Sequence, residues 1–127
     1  MAKRIPVTGP DIMQHSQPFP TAVRIGNMVF SSAVGGDDCS DHSLPDNVED
    51  QVRHCFKNVR AIIEGAGGTV DDIAKVEVFL RDRDDRKYVN PHWLEMFPDE
   101  NDRPVRHTVV SDLGGGRFIQ MEFVAVI

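Results

Sequence analysis

Between Val48 and Ala66 the apolar residues Val48, Val52, Cys55, Phe56, Val59, Ile62, Ile63 and Ala66 recur at helical spacing and form one stripe. A helix with a single apolar stripe is not stable alone and has to lie on another apolar surface. Asp46 and Glu49 stand at capping-box spacing before it, and Gly65, Gly67 and Gly68 supply the stop. The surface it needs follows at once. From Ala74 to Arg81 the pattern alternates, with Ala74, Val76, Val78 and Leu80 on one side and Lys75, Glu77, Phe79 and Arg81 on the other. The last segment, Arg117–Ile127, repeats the device: Ile119, Met121, Phe123, Ala125 and Ile127 face one way, Phe118, Gln120, Glu122, Val124 and Val126 the other.

The remaining elements are shorter. Thr21–Ile25 and Met28–Val34 flank Gly26-Asn27, which predicts a type II′ hairpin. A helical segment from about Asp84 to Phe97 contains Pro91, so a break or kink is expected there, with Asn90 as a candidate cap for the part after the proline. Val105–Ser111 reads as a strand and Gly114-Gly115-Gly116 as the turn before the last one. A chain of 127 residues without repeat or linker reads as one domain, residues 1–127, of α+β class. Two helices cover only one sheet face. Phe79, Phe118, Val124 and Val126, mixed with Glu77, Gln120 and Glu122, are left on the other, so another subunit is expected to cover it.

Several functions are disfavoured. With 14 basic and 20 acidic residues the net charge is −6, which repels nucleic acid at long range. The longest apolar run, Phe123–Ile127, is far too short for a membrane helix, and no apolar stretch follows the basic N-terminus. Cys39 and Cys55 form no CxxC pair, so neither a disulfide framework nor a zinc site is expected. These features fit a cytoplasmic protein. Asp37, Asp38, Asp41 and Asp46 read as a solvated loop and helix cap, because they lack calcium-loop spacing. Histidines 15, 42, 54, 92 and 107 form no ligand pair, so no metal is expected. Ser31-Ser32 lacks a nucleophile-elbow context.

The informative groups are Arg103-Pro104-Val105-Arg106-His107-Thr108 and Gln120-Met121-Glu122. A strand arginine serves either a surface ion pair or, through its planar fork, a bound carboxylate. Spacing leaves both open. Alternation turns His107 away from Arg106, so His107 ranks below Glu122 as an acid–base group.

From about Pro18 onward the chain resembles the Rid (reactive intermediate deaminase) or YjgF-like family. The resemblance rests on Ala22–Ser32, Asn58–Gly68, Asp72–Leu80, Asn90 with Met96-Phe97, and Arg103–Arg106, in that order. It implies a chorismate-mutase-like fold, a mixed six-stranded sheet with two helices on one face, assembled as a homotrimer with ligand sites between subunits. It also implies cofactor-free hydrolysis of carboxylate-bearing enamines and imines, such as 2-aminoacrylate, to 2-oxo acids and ammonia. Arg106 matches the family's carboxylate-gripping arginine, Ser32 its hydroxyl residue and Asn90 its second-helix asparagine. Phe19 stands where the archetype has tyrosine, Gln120 where it has glutamate, and the loop around His15 differs. Gln can hold a water but cannot take its proton, so Gln120 is assigned to positioning and Glu122 to a substitute base. Phe19 and His15 are expected to line the substrate. Two other readings are a non-catalytic carboxylate-binding or regulatory trimer and, less favoured by the charge, a ribonuclease or translation inhibitor.

Overall fold

The computed structural model describes residues 2–127. The elements are β1 Ile5–Pro6, β2 Ala22–Ile25, β3 Met28–Ser31, β4 Val34–Gly35, α1 Val48–Gly65, β5 Ile73–Leu80, α2 Arg86–Met96, β6 Val105–Val110 and β7 Ile119–Val126. Six strands run in the order β1-β2-β3-β7-β5-β6, and β4 pairs with β7 beside β3. Only β5 and β6 are parallel, which makes the sheet mixed. The expected six-stranded path is present, with β4 as a short seventh strand. A bulge creates it. Phe30 opposes Val124 while Val34 opposes Met121, so one extra residue lies between them on the β3–β4 side. Ser31 Oγ accepts the Phe123 N–H at 2.9 Å where the ladder is interrupted.

Helix α1 lies across the sheet along its stripe. Val52, Cys55, Phe56, Val59, Ile62 and Ile63 are buried, against Val76, Val78, Leu80, Ile119, Met121 and Phe123 of the sheet. Each such side chain contributes about 1.5–3 kcal/mol by leaving water. The N-terminal cap lies one residue later than the spacing of Asp46 and Glu49 implies. Asn47 Oδ1 accepts from the Asp50 N–H at 2.9 Å, and Asn47 Nδ2 donates to Asp50 Oδ2 at 3.0 Å. The glycine stop is a Schellman motif. Gly68 N–H donates to the Ile63 carbonyl and Gly67 N–H to that of Glu64, with Gly67 at φ 95°. At the hairpin Gly26 has φ 59° while Asn27 keeps a negative φ, the pattern of a II′ turn and not I′.

Two further expectations change. Ala74 does not share the inward face of β5: register shifts between Ile73 and Lys75, Ala74 becomes the extra residue, and Ile73 is buried in its place. Of the break or kink expected at Pro91, the break is absent, since α2 is continuous to Met96. Proline removes the N–H that would reach the Lys87 carbonyl. Lys87 is exposed, so water can serve that carbonyl instead. Asn90 is therefore a mid-helix residue and not a cap.

The helix-free face of the sheet carries apolar side chains with no cover among the described residues. Val105 is 65 % exposed, Val126 45 % and Phe30 36 %. Arg81 lies over the Phe118 ring at 5.6 Å on this side. Among the described residues no helix is long and apolar enough to cross a membrane.

Candidate functional site

Arg106 is held by a strand and met by a helix. It pairs with Val76 in the β5–β6 register, which turns it toward the helix side, while His107 pairs with Glu77 on the open side. Its Nη2 donates to Asn90 Oδ1 at 2.9 Å, and the guanidinium lies over the Trp93 ring at 5.0 Å. The Asn90–Trp93 spacing on α2 presents both groups to one strand position. Among the described residues Arg106 takes part in no ion pair. Partial burial, and then the like charge of Arg86, lower its proton affinity below the ordinary arginine value, yet arginine stays charged. The surface-ion-pair alternative finds no carboxylate for Arg106 among the described residues of one chain. Its one polar partner is neutral, which leaves a cation able to take an anion. Arg103 serves the backbone instead, since its Nε donates to the Phe97 carbonyl at 2.8 Å and fastens the connector before β6.

A second group of residues gathers where β3 passes into β4. The rings of His15 and Phe19 meet at a tilt of 53° with centroids 4.5 Å apart, and Phe19 is half-exposed. Ser32 Oγ donates to the Thr21 carbonyl at 2.9 Å, and Thr21 Oγ1 donates to the Met13 carbonyl at 2.5 Å. His15 and Gln120 line one recess of about 180 Å³ with Thr21, Ala33, Asn58 and Arg117. Glu122 does not open into it. It lies in a separate depression with Phe30, Lys75 and Glu77, directly opposite Glu77 in the register. Lys75 Nζ is 3.4 Å from Glu77 Oε1, so Glu77 has a cation beside it and Glu122 has none among the described ion pairs.

The fold thus brings Arg106 to Asn90, and His15 to Phe19 and Gln120, but it does not bring these two sets together within one chain.

Sequence reasoning missed the wall of the recess. Arg117 clamps Asp37 through two parallel hydrogen bonds, Nη1–Oδ1 at 2.6 Å and Nη2–Oδ2 at 3.0 Å. These bonds raise the arginine's proton affinity. Gly35 makes room, because a Cβ there would collide with Arg117 Nη1. Asn58 Nδ2 donates to the Gly35 and Asp37 carbonyls at 3.0 and 2.9 Å. Gln51, fully buried, donates to the Pro45 and Gly116 carbonyls and accepts the Phe118 N–H. The available signal was two polar residues, Gln51 and Asn58, at positions continuing the apolar stripe of α1. Buried Cys55 lies between them, its thiol pushed up by burial and donating to the Val34 carbonyl at 3.3 Å. The aspartates nearby close their own loop. Asp38 accepts from Ser40 and Asp41 from Ser43, which lowers both carboxyls below the usual range. Among the described residues no group of three His, Cys, Asp or Glu side chains gathers as a metal site would require.

The family model described as Endoribonuclease L-PSP matches residues 11–127. The chain belongs to this Rid/YjgF family. The 2-iminobutanoate/2-iminopropanoate deaminase of Escherichia coli is 34 % identical over 111 residues, covering 86 % of this chain and 87 % of that one. The crystal structure of RidA from an Antarctic Psychrobacter superposes with a TM-score of 0.87 at 28 % identity, covering 95 % of this chain and 98 % of that one. Escherichia coli TdcF, solved with bound serine, gives a TM-score of 0.88 at 28 % identity, with 96 % and 98 % covered. The α+β architecture of this Rid-family chain is that of these neighbours.

Proposed function

We propose that this Rid-family protein hydrolyses small 2-imino and enamine carboxylates to 2-oxo acids and ammonia, in clefts between three copies of the chain. The observation that carries the reading is Arg106, a half-buried guanidinium whose polar partner is the neutral Asn90. The name of the Escherichia coli deaminase and the amino acid bound to TdcF support a small carboxylate as the ligand. The separation of Arg106 from Gln120 within one chain, together with the uncovered Val105, Val126 and Phe30, supports a site completed by a neighbouring copy. Light scattering is expected to give three times the chain mass of 14.2 kDa. A monomer mass would remove the composite site.

The chemistry needs little apparatus. Arg106 holds the carboxylate, and Gln120 orients a water toward the imine carbon. Water adds to that carbon, the C–N bond of the resulting carbinolamine breaks as nitrogen leaves as ammonia, and the carbonyl forms. Gln120 accepts no proton, so base assistance falls to Glu122 of an adjoining copy or to solvent. Positioned general bases supply about 10²–10⁴-fold. Gln120→Glu is therefore expected to raise ammonia release from freshly generated 2-iminopropanoate, and Glu122→Gln to lower it. No gain in the first and no loss in the second would sink the base assignments.

A second reading is favoured by Phe19 and Gln120, which carry no acid–base group: a trimer that binds 2-oxo acids without turnover. It predicts a thermal shift with 2-oxobutanoate and no ammonia from any imine. Ribonuclease activity is less compatible with a net charge of −6.

A further inference from the structure

Arg86 and Asn90 lie one helical turn apart on α2, and Trp93 follows three residues on, so the three share a face. Asn90 and Trp93 are the residues that hold Arg106. Arg86 is thus the next group along the helix from the carboxylate clamp, and it too takes part in no ion pair among the described residues. Ten of the 14 basic side chains share that condition among the described residues, so position and not the missing partner sets Arg86 apart. Arg53, Arg60, Lys75 and Arg117 each have a carboxylate within 4.0 Å. The like charge of Arg86 adds to partial burial, the larger effect, in lowering the proton affinity of Arg106. Two cations one helical turn apart along this face repel each other, and a ligand with two negative ends interacts favourably with both.

We infer that Arg86 is a specificity-determining residue, and that the site takes 2-imino dicarboxylates in preference to monocarboxylates. Rising from Asn90 to Arg86 covers about 6 Å along the helix axis, which suits a four- or five-carbon diacid in extended form. The inference rests on the reading that Arg106 grips the 2-carboxylate.

The stable 2-oxo acid products test it without depending on turnover. Titration calorimetry on the full-length protein compares 2-oxoglutarate with 2-oxopentanoate, the same chain length lacking the distal carboxylate. Wild type is expected to bind 2-oxoglutarate about tenfold more tightly, the scale of one added charged hydrogen bond. Arg86→Gln is expected to bring that ratio to within about twofold, while Lys87→Gln, an equal change in net charge on the neighbouring residue, keeps it near tenfold. Equal affinities in wild type, a preference surviving Arg86→Gln, or a preference erased equally by Lys87→Gln would overturn the inference and leave the Arg106 clamp standing. Failure of both acids to bind would instead remove the clamp, and with it the dicarboxylate preference.

Discussion

Arg106→Ala is expected to abolish binding of 2-oxobutanoate while thermal unfolding and oligomer mass stay close to wild type. Losing one charged, bidentate-capable contact in a desolvated cleft weakens binding by about 2–5 kcal/mol, or thirtyfold and more. The fold should tolerate the change, because Arg106 contributes to it only one hydrogen bond to exposed Asn90 and a stack on Trp93. A stack of that kind is worth about 0.5–1 kcal/mol near the surface. Arg106→Lys should recover only part of the affinity, since an ammonium cannot present the planar fork. Calorimetry and a melting curve on the same samples decide the matter. If Arg106→Ala unfolds or dissociates, the residue is structural and the proposed carboxylate site is lost.

The largest stability effect is expected at Gln51. Its amide links three backbone groups from segments far apart in sequence: the Pro45 carbonyl at 2.7 Å, the Gly116 carbonyl at 2.9 Å and the Phe118 N–H at 2.9 Å. Gln51→Leu keeps the volume and removes every partner. Each part-buried polar group left alone costs about 1–3 kcal/mol, so a total near 4 kcal/mol is expected. For a domain of this size that lowers Tm by about 10–20 °C. The loops released are those that carry Asp37 and Arg117, so the recess beside Gln120 should loosen as well. A fall of Tm smaller than about 3 °C would show that water replaces the amide and that Gln51 is not the tie.

The helix α1, the alternation of β7 and the II′ hairpin were legible in the sequence because each rests on local chemistry. A stripe such as Val52, Phe56, Val59 and Ile63 has one geometry that buries it, and Gly26 or Gly67 supplies a left-handed φ that most residues resist. The family likeness was legible for a related reason, since it lies in short runs of residues around those same elements. The bulges at Ala74 and between β3 and β4 were not legible. They arise from how two strands meet, and alternation within either strand does not encode an offset of one residue in its partner. The displaced cap at Asn47 is a smaller case, where two adjacent acceptors compete and the approach of the preceding loop selects one.

Site residues divide along the same line. Arg106, Asn90 and Gln120 could be named from their segments, but whether Arg106 was already neutralised could not, because an ion pair depends on which distant carboxylate comes near. The tertiary structure supplied Asn90 in place of an acid and joined Arg117 to Asp37 across 80 residues of sequence. It also separated Glu122 from Gln120, which strand spacing had set side by side. Sequence by itself determined which side chains face the core, since that follows from periodicity. Only the tertiary structure decided which charges are paired, since electrostatic partnership is a matter of distance in space.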